Sequence, residues 1–135
     1  MKNNCQLKTE AKTENLASVL AFVAANIAGA PPRAQKHIEM AVEEVFVNIS
    51  SYAYHPETGA VSVRVSIDKD VVNIEFRDGG VPYNPLLKDD PDITLPGEKR
   101  QAGGLGIFMV KQLMDNVAYR REGDMNILTI SKAAA

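Results

Sequence analysis

The apolar positions of this chain follow two periods, and the switches between them mark its elements. Cys5 to Ala11 partly alternate and read as an edge strand. Leu16, Val19, Leu20, Val23 and Ile27 then recur at helical spacing. Thr13 is the candidate N-cap of that helix, and Gly29 with Pro31 and Pro32 stops it. A second helix is expected from about Pro32 or Arg33 to Tyr54, with Ile38, Ala41, Val42, Val45, Ile49, Tyr52 and Ala53 as its apolar stripe. At about 100° per residue, Glu44 and Asn48 lie one turn apart on one shoulder of that stripe. Side chains placed there reach a cleft at the edge of the core.

After a turn over His55 to Gly59, the period changes to two. Val61, Val63, Val65 and Ile67 alternate with polar residues, as in a half-buried strand. Asp68-Lys69-Asp70 is a tight connection, and Val72, Ile74 and Phe76 form the second arm of a hairpin. Arg77-Asp78-Gly79-Gly80-Val81-Pro82 breaks the strand sharply. Residues 83–102 have no clean periodicity and are rich in proline and charge. So long a loop in a compact domain suggests a functional lid. A third helix follows Gly106 and extends to about Met114 or Asp115, with Ile107, Val110, Leu113 and Met114 on one face. Asn116 to Arg121 and Asn126 to Ser131 form a closing hairpin turned at Glu122-Gly123-Asp124. The order β-α-α-β-β-loop-α-β-β predicts an α/β (α+β) two-layer sandwich. Three helices lie on one face of a mixed, mostly antiparallel sheet of about five strands.

Composition narrows the function. The 135 residues suit a single domain over 1–135, and with 45% hydrophobic residues and no tryptophan the core must be aliphatic. A net charge of −2 argues against a dedicated nucleic-acid binder. Cys5 is the sole cysteine, and His37 and His55 are the only histidines, so no disulfide framework or Cys/His metal site is expected. Met1 to Cys5 is polar, without the apolar core of a signal peptide, and no stretch reaches the roughly 18 apolar residues of a membrane span. A cytoplasmic protein without direct nucleic-acid or membrane contact is the expectation.

The candidate chemistry starts at Gly103-Gly104-Leu105-Gly106. A glycine turn opening a helix is a ready anion site, because free N–H groups and the helix dipole point at the turn. Upstream, Asp78 can accept from the exocyclic amine of adenine, and Gly80 lets the backbone approach the ring. Asn48 offers a neutral oxygen to Mg²⁺, which takes few protein ligands and keeps water and phosphate oxygens. Glu44 can orient or deprotonate an attacking hydroxyl or water. Each piece has an ordinary reading by itself: a turn aspartate, a solvated i,i+4 pair, a loop-to-helix junction. Their order, on a helix, a strand end and a helix start, favours a nucleotide.

These motifs carry a resemblance over nearly the whole chain. Glu44-x-x-x-Asn48, Asp78-x-Gly80-x-Pro82 and Gly103-Gly104-Leu105-Gly106 resemble the N, G1 and G2 boxes of the GHKL ATPases. Met40 to Asn48, Tyr52-Ala53-Tyr54, Gly104 to Asp115 and Asn126 to Lys132 resemble the small anti-sigma factor serine/threonine kinases of the RsbW and SpoIIAB type. The resemblance implies a Bergerat-type ATP fold with Mg²⁺ held through Asn48 and Glu44 as general base. It implies nucleotide contacts from Asn48, Asp78, Gly80, Pro82, Gly103, Gly104, Leu105, Gly106 and Thr129. It further implies phosphoryl transfer to a serine or threonine of a small anti-anti-sigma partner, a homodimer, and sequestration of a sigma factor while ATP is bound.

The chain departs from that pattern at two places. Tyr52 stands where many members have histidine, four residues after the asparagine. Ala102 stands where some relatives carry a lid arginine, so Arg100, with Lys99 beside it, is the candidate for contact with the γ-phosphate. A dinucleotide oxidoreductase does not fit, because no third glycine follows Gly106 and no strand leads into the turn. A histidine kinase core lacks its phosphoacceptor helix here. The serious rival is a non-catalytic, ATP-gated module that regulates by sequestration; the intact Glu44 argues for catalysis.

Overall fold

A computed structural model describes residues 3–54, 56–87 and 104–134. Strand β1 (Asn3–Glu10) leads into a short 3-10 turn and helix α1 (Leu16–Asn26), then the long helix α2 (Pro32–Tyr52). Strands β2 (Ala60–Asp68) and β3 (Val71–Asp78) form a hairpin. Helix α3 (Gly104–Leu113) and the hairpin of β4 (Asn116–Glu122) and β5 (Met125–Ala133) complete the described residues. The sheet order is β1-β2-β3-β5-β4.

Every strand pairing is antiparallel, so the expected mixed character is absent among the described strands. The reason lies in β5. It returns from β4 through a tight turn and inserts between β4 and β3, running against both. Gly123, at φ +59°, supplies the positive φ of that turn. At the β2–β3 turn, Lys69 (φ 51°) and Asp70 (φ 64°) adopt left-handed geometry without glycine, as a twisted two-residue hairpin requires.

The core is one aliphatic layer between helices and sheet. Val19 and Val23 of α1 and Ile38, Val42, Val45 and Phe46 of α2 meet Val63, Val65, Ile74, Phe76, Leu128 and Ile130 of the strands. Burial of each large side chain contributes about 1.5–3 kcal/mol. Phe46 is fully buried, which makes the apolar side of α2 broader than its expected stripe.

Two expected boundaries move. Thr13 does not cap α1. It opens the 3-10 turn, and its hydroxyl lies 3.4 Å from Glu14 Oε1. The chain enters α1 already turning, and Asn15 instead donates back to the Glu10 carbonyl at 3.0 Å. At the other end, α2 stops at Tyr52, with Ala53 as its C-cap. There the Tyr54 hydroxyl donates to the Ala60 carbonyl at 2.6 Å and accepts from the Gly79 N–H at 2.7 Å. That phenol ties the end of α2 to the start of β2 and the end of β3. Its ring occupies the space that a Cβ at Gly59 would need.

Candidate functional site

Asp78, Asn48 and α3 meet in one pocket between the helices and the end of the sheet. Its walls include Asn48, Ile49, Tyr52 and Ala53 from α2, Asp78 from β3, Ile107 from α3, Tyr119 from β4, and Asn126 and Leu128 from β5. Tyr83 and Pro85 line it from the segment after β3. The lining is mainly apolar and aromatic with a few convergent polar groups, the usual make-up of a small-molecule site.

Asp78 sits at the last residue of β3, 5% exposed. Its register partner on β5 is Asn126, also 5% exposed. The Asn126 amide donates to Asp78 Oδ1 at 2.9 Å, and the Gly80 N–H donates to the same oxygen at 3.0 Å. The Asn126 amide also donates to the Val81 carbonyl at 2.8 Å. Its Oδ1 accepts from the Tyr119 hydroxyl at 2.6 Å and Arg121 at 3.1 Å, with the Tyr83 N–H at 3.4 Å. Arg121 also reaches the Gly80 carbonyl at 3.0 Å. A buried carboxylate is costly unless hydrogen-bonded, and this network meets that need on one oxygen.

Asn126 is the residue that sequence reasoning missed. The signal available was its strand parity with Leu128 and Ile130. Thr129 has the opposite parity. It is registered with Glu75 and Ala118, on the sheet face away from the helices, and it does not line the pocket. The contribution of β5 to the pocket comes from Asn126 and Leu128.

Gly80 proves necessary for a different reason from the expected one. A Cβ there would lie 2.2 Å from the Ala53 carbonyl oxygen. Next to it, the Val81 N–H donates to that same oxygen at 3.0 Å. The glycine lets the turn after β3 seat against the end of α2, which holds Asp78 at the pocket floor. Pro82 is exposed and lies outside the pocket lining.

At the other end, Gly104, Leu105 and Gly106 lie within the first turn of α3 and not before it. The missing Cβ at Gly106 makes room for Glu44, whose Oε2 would be 2.6 Å from it. Glu44 is therefore set against the opening turn of α3, one helical turn along α2 from Asn48. Among the described residues nothing hydrogen-bonds the side chain of Asn48, which lines the pocket. Among them, too, no group of three or more His, Cys, Asp or Glu side chains could cage a metal. A divalent ion at Asn48 would take most of its ligands from phosphate and water, as Mg²⁺ commonly does.

Tyr52, the variant position, has a partner. Its ring stacks on Tyr83 with centroids 5.9 Å apart and planes at 30°. Burial, followed by the nearby negative Asp78, holds the Tyr54 phenol above its ordinary pKa, while the bond from the Gly79 N–H works against that rise. Lys99, Arg100, Ala102, Gly103 and most of the expected lid over 83–102 fall outside the described residues. The part of that lid which is described, 83–87, contains a short 3-10 turn at Pro85–Leu87.

The same domain and fold recur in other proteins. The family described as "Histidine kinase-like ATPase domain" matches residues 9–132. A protein of Bacillus mycoides (strain KBAB4) named "Serine-protein kinase RsbW" is 28% identical over 129 residues, covering 91% of this chain and 81% of that protein. Its namesake in Bacillus cereus (strain B4264) is 29% identical over 130 residues, with the same coverage. Among solved structures, the histidine kinase domain of the Erythrobacter litoralis EL346 blue-light activated histidine kinase superposes with a TM-score of 0.56 at 20% identity. That match covers 88% of this chain and 61% of the other, a likeness of fold.

Proposed function

The chain belongs to the histidine kinase-like ATPase family, and from that premise we propose that it binds ATP in the pocket floored by Asp78 and transfers the γ-phosphoryl group to a serine or threonine of a small anti-anti-sigma protein. The observation that carries the reading is the convergence of Asn48, Asp78, Ile107 and Asn126, from four separate elements, on one pocket. Asp78 accepts from the adenine amine. Asn48 holds Mg²⁺ through its amide oxygen, and Gly103 to Gly106 receive the phosphates at the start of α3. Bound there, the metal supplies charge neutralisation at the phosphate oxygens.

Glu44 takes the proton of the acceptor hydroxyl as its oxygen bonds to the γ-phosphorus, and ADP leaves with the electrons of the broken P–O bond. Arg100 is the candidate cation on the transferring group. The remaining features of the reading are one domain over 1–135, a lid over 83–102, a homodimer and a cytoplasmic setting. A sigma factor is its second partner. Relatives named serine-protein kinase, covered over 81% of their length, support the kinase part of the reading. Among the described residues no helix is long and apolar enough to cross a membrane.

A non-catalytic, ATP-gated sequestration module is the alternative, favoured by Ala102 in place of a lid arginine. Calorimetry of ATP with and without Mg²⁺, on wild type and Asp78→Asn, tests the nucleotide site. A phosphotransfer assay with candidate anti-anti-sigma proteins, on wild type and Glu44→Gln, then separates the two readings. Loss of transfer with retained ATP binding supports the kinase. Transfer left intact by Glu44→Gln overturns the assignment of the base.

A further inference from the structure

We propose that Asn126 is a positioning residue that sets base selectivity, by holding the Asp78 carboxylate so that one oxygen alone, Oδ2, meets the 6-position of a purine. This rests on the nucleotide-binding reading above and adds the device that makes it selective.

The orientation of the Asn126 amide follows from its neighbours. Asp78 Oδ1 and the Val81 carbonyl can only accept, so the amide nitrogen must face them. Arg121 and the Tyr83 N–H can only donate, so the amide oxygen must face those. A reversed amide would set like against like at all four contacts. With Tyr119 closing the set, Asn126 cannot turn, and neither can the carboxylate it grips.

The consequence falls on Asp78. Its Oδ1 is occupied by two donors, Asn126 and the Gly80 N–H. Among the described residues no donor reaches Oδ2, and Asp78 lines the pocket. The terminal torsion of an aspartate is broad and intrinsically loose. Asn126 removes that freedom and presents a fixed, acceptor-only oxygen. A 6-amino group donates to it. A 6-oxo group, as in inosine or guanine, sets oxygen against oxygen with both desolvated. Without Asn126 the carboxylate rotates, admits water, and can meet a 6-oxo base through a bridging molecule.

A purely structural role for Asn126 would weaken both kinds of nucleotide together, so selectivity is the readout. Equilibrium binding of ATP and of inosine triphosphate, with Mg²⁺ present, is measured on the full chain as wild type, Asn126→Ala and Tyr119→Phe, alongside thermal unfolding. Wild type is expected to favour ATP by about 100-fold or more, as polar sites do against a mismatched group. Asn126→Ala should cut that ratio by about 10-fold or more, through loss of ATP affinity with inosine triphosphate little changed. Tyr119→Phe, which only frees one side of the amide, should move the ratio the same way by a few-fold at a melting temperature near wild type.

An unchanged ratio in Asn126→Ala overturns the proposal, and if that variant does not fold, an unchanged ratio in Tyr119→Phe does so. Wild type binding both nucleotides alike also overturns it. Wild type binding neither overturns the nucleotide-binding reading itself, which is a separate failure.

Discussion

At the Asp78 end of the pocket, Asp78 and Asn126 are each 5% exposed and linked by hydrogen bonds to Gly80, Val81, Tyr119 and Arg121. Beside the opening turn of α3, Glu44 and Asn48 are half-buried on one side of α2, and a glycine in α3 gives Glu44 its room. At Asp78 the protein satisfies one carboxylate oxygen by itself, because a buried carboxylate is costly unless hydrogen-bonded. In the proposed reading, phosphates and Mg²⁺ would meet the second group, where the Asn48 side chain lines the pocket and has no hydrogen bond among the described residues. That reading puts the preorganised network at base recognition and the unengaged Asn48 amide at phosphoryl transfer.

The sharpest break of this contrast is at Glu44. Glu44→Gln should lower phosphoryl transfer by about 10²–10⁴-fold, the range of general-base removal. ATP affinity should stay near wild type by calorimetry, because the network around Asp78 is untouched. Asp78→Asn should do the reverse. It should lower ATP affinity by about 10–100-fold, the worth of a hydrogen bond to a charged group, and Mg²⁺ should not restore it.

The two glycines extend the comparison. Gly80→Ala forces a methyl into the Ala53 backbone carbonyl at 2.2 Å, which cannot step aside. A loss of about 1–3 kcal/mol on denaturant unfolding is expected. Gly106→Ala meets only the flexible end of Glu44 at 2.6 Å, and helix propensity favours alanine by up to about 1 kcal/mol. Stability should hold or rise, while transfer falls by about 10-fold because Glu44 is displaced.

The smallest effect is expected at Tyr54. Its phenol is held above the ordinary value near 10, chiefly by burial. Stability from that group is complete below about pH 10, where folded and unfolded chains are both protonated. It declines as pH rises through the folded pKa, since the unfolded phenol ionises first. Tyr54→Phe should lose about 1 kcal/mol at neutral pH, from the bonds to Ala60 and Gly79. Denaturant midpoints measured between pH 9 and 11 should fall less steeply in the variant than in wild type.

What the sequence determined by itself is the face each residue takes within its own element. The helical period of α2 set Glu44 and Asn48 on one shoulder, and the alternation of β2 and β3 fixed their buried faces. Three glycine and carboxylate motifs pointed to one site, and Asp78 and Asn48 line one pocket together with Ile107 of α3. The run Ile127-Leu128-Thr129-Ile130 hid its own alternation, because Ile127 is buried on the outer face as Leu128 and Ile130 are on the inner one. Thr129 could thus be taken for a pocket residue. Only the tertiary structure decided that Asn126, 48 residues beyond Asp78, is the side chain that grips it. Register between β3 and β5 is set by packing of both strands beneath α2, and no period within either strand encodes it. The same holds for Gly80, whose need for a bare α-carbon comes from the end of α2, a contact made only when the helix lies across the sheet.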